Sequence, residues 1–162
     1  MDLRKKKVVF LSHCILNQNI VVEPLARAKG GFNKIIQEIL KEDTGIHQMP
    51  CPENEFLGLD REPLSYEEYD GLKGYRKHCK KIAEKVLVSV KEYLRNDYEI
   101  IGIVGINQSP TCSITVKRGI YMEELLKLLK VNNIELKTME VSTEYVEGKE
   151  NDLKKLIEFL GK

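Results

Sequence analysis

The feature of this sequence that most constrains its fold is the apolar run at residues 99–106, which is followed by Asn-Gln-Ser-Pro-Thr-Cys at residues 107–112. The run reads Glu-Ile-Ile-Gly-Ile-Val-Gly-Ile and contains no proline. A continuous apolar run of this kind is typical of a strand buried on both faces in the middle of a parallel sheet. Ligands of open α/β sheets bind beyond the carboxyl ends of the strands, so Cys112 lies where chemistry is expected.

The rest of the chain alternates strand and helix patterns in the order β-α-β-α-β-α-β-α. This order predicts an α/β fold with a mainly parallel four-stranded sheet and helices on both faces, in a single domain over residues 1–162. Residues 52–63 are predicted to be a loop, and Ser65 and Glu68 to form a capping box. The predicted strands are 7–14, 46–51, 99–106 and 134–141, the last at an edge, and the predicted helices are 32–41, 65–96, 121–130 and 151–160.

Composition excludes several classes of protein. A hydrophobic content of 42% and a charged content of 31% fit a soluble globular protein. The net charge of +1 gives no general attraction to nucleic acid, so no stable nucleic-acid binding is expected. We find no membrane-length apolar run and no signal peptide, and we expect a cytoplasmic protein. There is no Gly-rich phosphate loop that would indicate an ATP or NAD enzyme.

Three of the four cysteines follow strands. Cys14, Cys51 and Cys112 each come after one of the first three predicted strands, whose carboxyl ends share one edge of a parallel sheet. Three thiolates are too few for a closed structural zinc site, and they suit a reactive zinc, copper or iron–sulfur centre with an open position. The alternative is that the three cysteines only pack in the core. Cys79 lies on the apolar stripe of a predicted helix and is expected to pack.

Polar residues near these cysteines are candidates for catalysis. Glu53 follows Cys51 by two residues, and a carboxylate beside a metal centre can act as a general acid or base. Ser109 precedes Cys112 by three residues and could position a ligand. The alternatives are a surface or capping glutamate and a turn serine before Pro110. His13 could be a fourth ligand or a proton carrier, but strand alternation directs it away from Cys14, so it is expected to pack.

These residues form three blocks that resemble the signature of the 2-thiouracil desulfidase (TudS) family. The blocks are Ser-His-Cys-Ile-Leu-Asn at residues 12–17, Cys-Pro-Glu at 51–53 with Gly58, Leu59 and Arg61, and Ser-Pro-Thr-Cys at 109–112. The resemblance implies a Rossmann-like domain and a [4Fe-4S] cluster held by Cys14, Cys51 and Cys112, with one iron that the protein does not ligate. It also implies non-redox removal of sulfur from thiolated nucleobases. In that reaction Glu53 is the candidate for proton transfer and Ser109 for positioning substrate or water.

Two stretches differ from the pattern of the better-known members of that family. Those members continue the first block with a glycine and Arg-Tyr-Asp-Gly, where this chain has Ile-Leu-Asn-Gln-Asn-Ile-Val-Val-Glu at residues 15–23. They also have glycine where this chain has Ser113. We therefore expect a divergent branch that acts on a thiolated nucleobase or a related small thiocarbonyl compound.

Three other hypotheses remain open from the sequence. The chain could hold a cluster or sulfide for binding or delivery without turnover. It could be a zinc hydrolase that uses the same three thiols. It could also be a domain in which the cysteines merely pack. Iron and zinc content, turnover, and the effect of replacing the cysteines separate these hypotheses.

Overall fold

The computed structural model describes residues 1–147 and 150–161, and its centre is a four-stranded parallel sheet in the order β2-β1-β3-β4. The strands are β1 Lys7–Leu11, β2 Gly45–Gln48, β3 Glu99–Ile106 and β4 Thr138–Val141. The helices are α1 His13–Leu16, α2 Asn33–Lys41, α3 Pro52–Leu57, α4 Tyr66–Asp70, α5 Tyr75–Arg95, α6 Ile120–Val131 and α7 Glu150–Phe159, with a 3-10 turn at Gln18–Ile20. The predicted Rossmann-like α/β fold is confirmed.

The two central strands are the ones with unbroken apolar runs. Val9, Phe10 and Leu11 of β1 and Ile103 and Val104 of β3 are fully buried. Both faces of these strands are covered, which explains why their sequences do not alternate between apolar and polar residues. The strand β4 lies at an edge, as predicted, but it begins at residue 138 rather than 134.

Helices pack on both faces of the sheet and form two apolar clusters. On one face, α5 and α6 cover Phe10 and Ile103. On the other face, α2 and α7 cover Val9, Leu11 and Val104. Within the described residues, none of these helices combines the length and apolarity needed to span a membrane.

The predicted long helix over residues 65–96 is wrong, because the structure divides it into α4 and α5. The helix α4 ends at Asp70 with Gly71 as its C-cap, and α5 starts after Gly74, which has a left-handed backbone with φ of 88°. The predicted capping box is confirmed, since Ser65 Oγ accepts from Glu68 N at 3.1 Å and Glu68 Oε2 accepts from Ser65 N at 2.7 Å. The helix therefore begins where predicted and is interrupted at two glycines.

Cys79 packs in the core as predicted. It lies on α5 within the cluster that also contains Tyr75 and Ile82, and it is fully buried. It therefore provides an internal reference for a cysteine whose role is packing.

Candidate functional site

A cavity of about 400 Å³ opens at the carboxyl edge of the sheet. Cys14, Cys51 and Cys112 line it, together with Glu53 and Ser109. The expectation that the three cysteines meet at one edge of the sheet agrees with this placement. The structure thus brings together all five residues for which the sequence predicts a site role, and the roles themselves remain predictions.

Cys14 lies in a short helix and Cys51 immediately precedes one, so neither is at the end of a strand, and β2 ends at Gln48 rather than at the predicted residue 51. The strand β1 ends at Leu11, so the prediction that it runs to residue 14 is wrong, and Cys14 belongs to α1. The carbonyl of Cys14 accepts a hydrogen bond of 2.8 Å from Gln18 Nε2. Cys51 is the N-cap of α3, which occupies part of the predicted loop 52–63. Pro52 starts this helix because its fixed φ suits the first helical position.

Cys112 lies in the loop between β3 and α6, which is folded down onto the end of the sheet. Ile106 N donates to the carbonyl of Cys112 at 3.1 Å. A Cβ at Gly105 would overlap this carbonyl, and a Cβ at Gly119 would overlap the backbone at Thr111. The two glycines therefore permit the close approach that places Cys112 in the cavity.

His13 packs rather than lining the cavity. It is the first residue of α1, and its Nδ1 is 3.1 Å from the carbonyl oxygen of Met49. The contact joins the segments that follow β1 and β2. This contact agrees with the expectation that His13 packs, although the residue is helical and the strand alternation used to predict its direction does not apply.

Glu53 is held in a fixed orientation by two donors. Its Oε1 accepts from Tyr69 Oη at 2.9 Å and from Arg61 Nε at 3.4 Å. Arg61 is almost fully buried and also donates to the carbonyls of Gly58 and Ile20. Oε2 of Glu53 has no hydrogen-bond partner within residues 1–147 and 150–161. One carboxylate oxygen is therefore anchored, and the other is available for proton transfer.

Ser109 has a hydroxyl whose oxygen is engaged and whose proton is available. Its Oγ accepts from Thr111 N at 3.2 Å and from Cys112 N at 3.0 Å. The oxygen acts as an acceptor in both contacts, so the hydroxyl hydrogen can be donated to a group in the cavity. Ser109 thus fixes the backbone at Cys112 and retains one donor.

Burial and mutual repulsion keep the three cysteines protonated in the absence of a cation. Burial raises the pKa of Cys14 to about 12, and the charges of Cys51 and Glu53 act in the same direction. Burial also raises the pKa of Cys51 and of Cys112, and the pKa of Cys112 is raised further by Cys14 and Cys51. Each of the three residues is partly exposed, and each lines the cavity. A cationic centre that accepts these thiolates would relieve both effects.

The arrangement of the three cavity cysteines bears on the kind of centre that they could hold. Among the described residues, no group of three or more His, Cys, Asp or Glu side chains is arranged to hold one ion. Three thiolates on one tetrahedral zinc, with bonds of ~2.3 Å, would lie only ~3.8 Å apart. A cubane cluster binds each thiolate to a different iron, so it accepts more widely spaced ligands. The all-cysteine donor set and the shared cavity fit an iron–sulfur cluster.

Arg27 is a site residue that the sequence analysis missed. It lines the cavity, and its Nη1 donates to the carbonyl of Ser142 and, at 3.2 Å, to that of Tyr145. Burial lowers the pKa of Arg27, and the charges of Cys14 and Asp152 counteract this effect. Its partners are more than 100 residues away in the chain. A single arginine in an irregular segment gives no sequence signal for such a position.

Glu140, at the edge strand β4, organises the loop that carries Cys112 and was also missed. Its Oε1 accepts from Ser113 Oγ at 3.2 Å, from Thr115 N at 3.0 Å and from Ile114 N. Its Oε2 accepts from Asn107 Nδ2 at 3.0 Å and from Thr115 Oγ1 at 2.6 Å. Burial alone would raise the pKa of Glu140, but the donors, led by Thr115 and Ile114, lower it to about 2.

Replacing Glu140 with glutamine is expected to destabilise the protein at neutral pH. The loss of several charge-assisted hydrogen bonds should lower the free energy of unfolding by about 1–3 kcal/mol. The pKa of Glu140 in the folded state is below its unfolded value, so its stabilising contribution is complete above about pH 5 and is lost as the pH falls through about 2. Urea unfolding of both proteins at pH 7 and pH 3 should therefore show a smaller difference at pH 3.

Glu135→Gln is the matched control for this measurement, because Glu135 is exposed and precedes the same strand. It should unfold like the native protein at both pH values. A Glu140→Gln variant as stable as the native protein at pH 7, or equally destabilised at both pH values, would contradict the role of the Glu140 charge.

Comparison with known proteins adds sequence evidence to this geometry. Residues 7–137 match the family described as "Putative 2-thiouracil desulfurase". The chain is also 45% identical over 138 residues to an uncharacterized protein of Methanocaldococcus jannaschii, and the match covers 85% of this chain and 87% of that protein. No solved structure gives a significant match. The three cavity cysteines, Glu53 and Ser109 all lie inside the range that matches the family.

Proposed function

The chain belongs to the family described as putative 2-thiouracil desulfurases, and from this premise we propose that it is a [4Fe-4S]-dependent desulfidase. The proposed reaction is non-redox removal of sulfur from a thiolated nucleobase or a related small thiocarbonyl compound. The observation that carries the proposal is one cavity lined by Cys14, Cys51 and Cys112 beside Glu53 and Ser109. Cys14, Cys51 and Cys112 would hold the cluster.

The residues around each thiol support cluster binding. Arg27 places a positive charge near Cys14 and favours its thiolate. Backbone N–H groups of Asn54 and Glu53, in the first turn of α3, lie near Cys51 and favour its thiolate as well. When bound, a cluster with one iron free of protein ligands supplies a Lewis acid for the thiocarbonyl sulfur.

The proton transfers are assigned to Glu53. Water adds its oxygen to the thiocarbonyl carbon, the carbon–sulfur bond breaks, and the products are an oxo compound and hydrogen sulfide. Oε2 of Glu53 is free to take the proton of the attacking water, while Tyr69 and Arg61 hold Oε1 in place. A positioned general base of this kind contributes about 10²–10⁴-fold to the rate.

Ser109 and the cavity wall account for binding. The Ser109 hydroxyl has a proton to donate to the substrate or to the water. Apolar side chains, among them Ile20, Val22 and Leu64, line the same cavity and suit the faces of a small heterocycle. The proposed substrate is therefore a small thiolated heterocycle. The proposal involves no stable binding to nucleic acid, and it assigns the enzyme to the cytoplasm.

Anaerobic preparation tests the proposal directly. We expect brown protein with four iron and four sulfide per chain after reconstitution, and conversion of a thiolated pyrimidine such as 2-thiouracil to its oxo form with release of sulfide. Colourless protein without iron would contradict the cluster. A protein with a full cluster that consumes no thiolated compound would instead favour the binding or delivery module.

A further inference from the structure

Ser12 is a buried polar residue next to the site that none of the steps above uses. It is the residue that follows β1, it is 1% exposed, and its Oγ makes no hydrogen bond to any group in the described part of the chain. A buried hydroxyl without a partner costs about 1–3 kcal/mol. Such groups are rare in native proteins, and each one calls for an explanation, such as an absent ligand.

The backbone places Ser12 beside Cys112. Ser12 N donates to the carbonyl of Val104 at 3.0 Å, so Ser12 lies alongside the end of β3. The next residue of β3 is Gly105, against which the carbonyl of Cys112 packs. In this position the Ser12 hydroxyl lies within reach of the Cys112 sulfur. The hydroxyl is thus near the sulfur, but it makes no well-directed hydrogen bond to the neutral thiol.

We propose that the Ser12 hydroxyl donates a hydrogen bond to the Cys112 thiolate when the cluster is bound, and that it thereby retains the cluster and raises its reduction potential. This inference rests on the proposed function. Hydrogen bonds to the ligating sulfurs are a recognised determinant of cluster potential. A donor stabilises the reduced cluster more than the oxidised one, because the reduced cluster carries more negative charge.

With this hydrogen bond, each of the three proposed cysteine ligands has its own group that stabilises the thiolate. Arg27 stabilises the thiolate of Cys14, the backbone N–H groups in the first turn of α3 stabilise that of Cys51, and Ser12 stabilises that of Cys112. The three sources differ in kind, namely a side-chain cation, backbone N–H groups and a hydroxyl. Of the side-chain groups in this set, the Ser12 hydroxyl has no other hydrogen bond within the described residues, so it is free to donate to a thiolate.

The test compares Ser12→Ala with the native protein in the metal-free and reconstituted forms. The metal-free variant should be as stable as the native protein or more stable, because the unpartnered hydroxyl is removed. In the reconstituted variant, a chelator should release iron about five times faster. At the native midpoint potential, the ratio of oxidised to reduced cluster should rise about fivefold, which equals about 40 mV for a one-electron couple.

Ser12→Thr keeps the hydroxyl and should restore both the potential and the rate of iron release. Equal potentials and release rates in the native and Ser12→Ala proteins would overturn the role of Ser12 and leave the proposed function intact. A loss of stability in the metal-free Ser12→Ala protein would show a purely structural role and overturn it too. Native protein that takes up no cluster would overturn both this inference and the proposed function.

Discussion

Replacing Glu53 with glutamine is expected to lower the turnover of a thiolated substrate by about 10²–10⁴-fold, which is the usual contribution of a general acid–base group. Glutamine has nearly the same shape and can still accept from Tyr69 Oη and Arg61 Nε through its amide oxygen. It has no basic oxygen facing the cavity, so it cannot take a proton from water. Steady-state rates and iron content should be measured on the same reconstituted sample.

The iron content decides how a loss of turnover is interpreted. We expect Glu53→Gln to hold as much cluster as the native protein, because Glu53 is not among the proposed ligands. Glu55→Gln is the matched control, since Glu55 lies on the same helix and is exposed. Native turnover by Glu53→Gln would eliminate Glu53 as the base. Loss of the cluster along with turnover would show that the Glu53 charge supports the centre and not the chemistry.

The parallel sheet and the convergence of Cys14, Cys51 and Cys112 at its edge could be predicted, because both follow from local sequence patterns. The apolar runs of β1 and β3 are continuous, and a strand buried on both faces leaves that pattern. The carboxyl ends of parallel strands share one edge, so segments distant in sequence become neighbours there. The capping box at Ser65 and Glu68 is likewise a local pattern with a direct physical cause.

The interruption between α4 and α5 could not be predicted from periodicity alone. Apolar spacing continues across residues 71–74, and glycine inside a helical pattern is often tolerated. The interruption depends on Gly74 adopting a left-handed backbone, which tertiary packing decides. The short helix α3 was missed for a related reason, because six residues carry too little periodicity to separate a helix from a loop.

The groups that support the candidate site were missed because their partners are distant in the chain. Glu140 bonds to groups 25–33 residues away, and Arg27 bonds to carbonyls 115 and 118 residues away. Neither residue lies in a motif, and charged residues make up 31% of the chain. The residues predicted to act on a ligand could be identified from the chemistry of their side chains. The residues that position them can be identified only once the fold is known.

Replacing Cys14, Cys51 or Cys112 individually with alanine is expected to reduce cluster iron to background after reconstitution and to abolish turnover. Each of these thiols faces the shared cavity, and a cluster with only two protein ligands would be exposed to water and chelators. Iron and sulfide assays, visible spectra and turnover should be recorded for each variant. Full cluster content in any of the three would remove that cysteine from the ligand set.

Cys79→Ala is the control that separates ligation from packing. Cys79 is fully buried in the apolar cluster beneath α5, so its replacement should cost about 1 kcal/mol of stability and leave the cluster in place. If the cavity cysteines were merely packing residues, all four variants would lose similar stability in the metal-free form, and none would differ in iron content. The three cavity variants should instead be close to native stability without metal, because each of these cysteines is partly exposed and lines the cavity, whereas Cys79 is fully buried. Near-native metal-free stability with a lost cluster in three variants, and reduced stability with a retained cluster in the fourth, are expected together only if the cavity is built to bind a cluster.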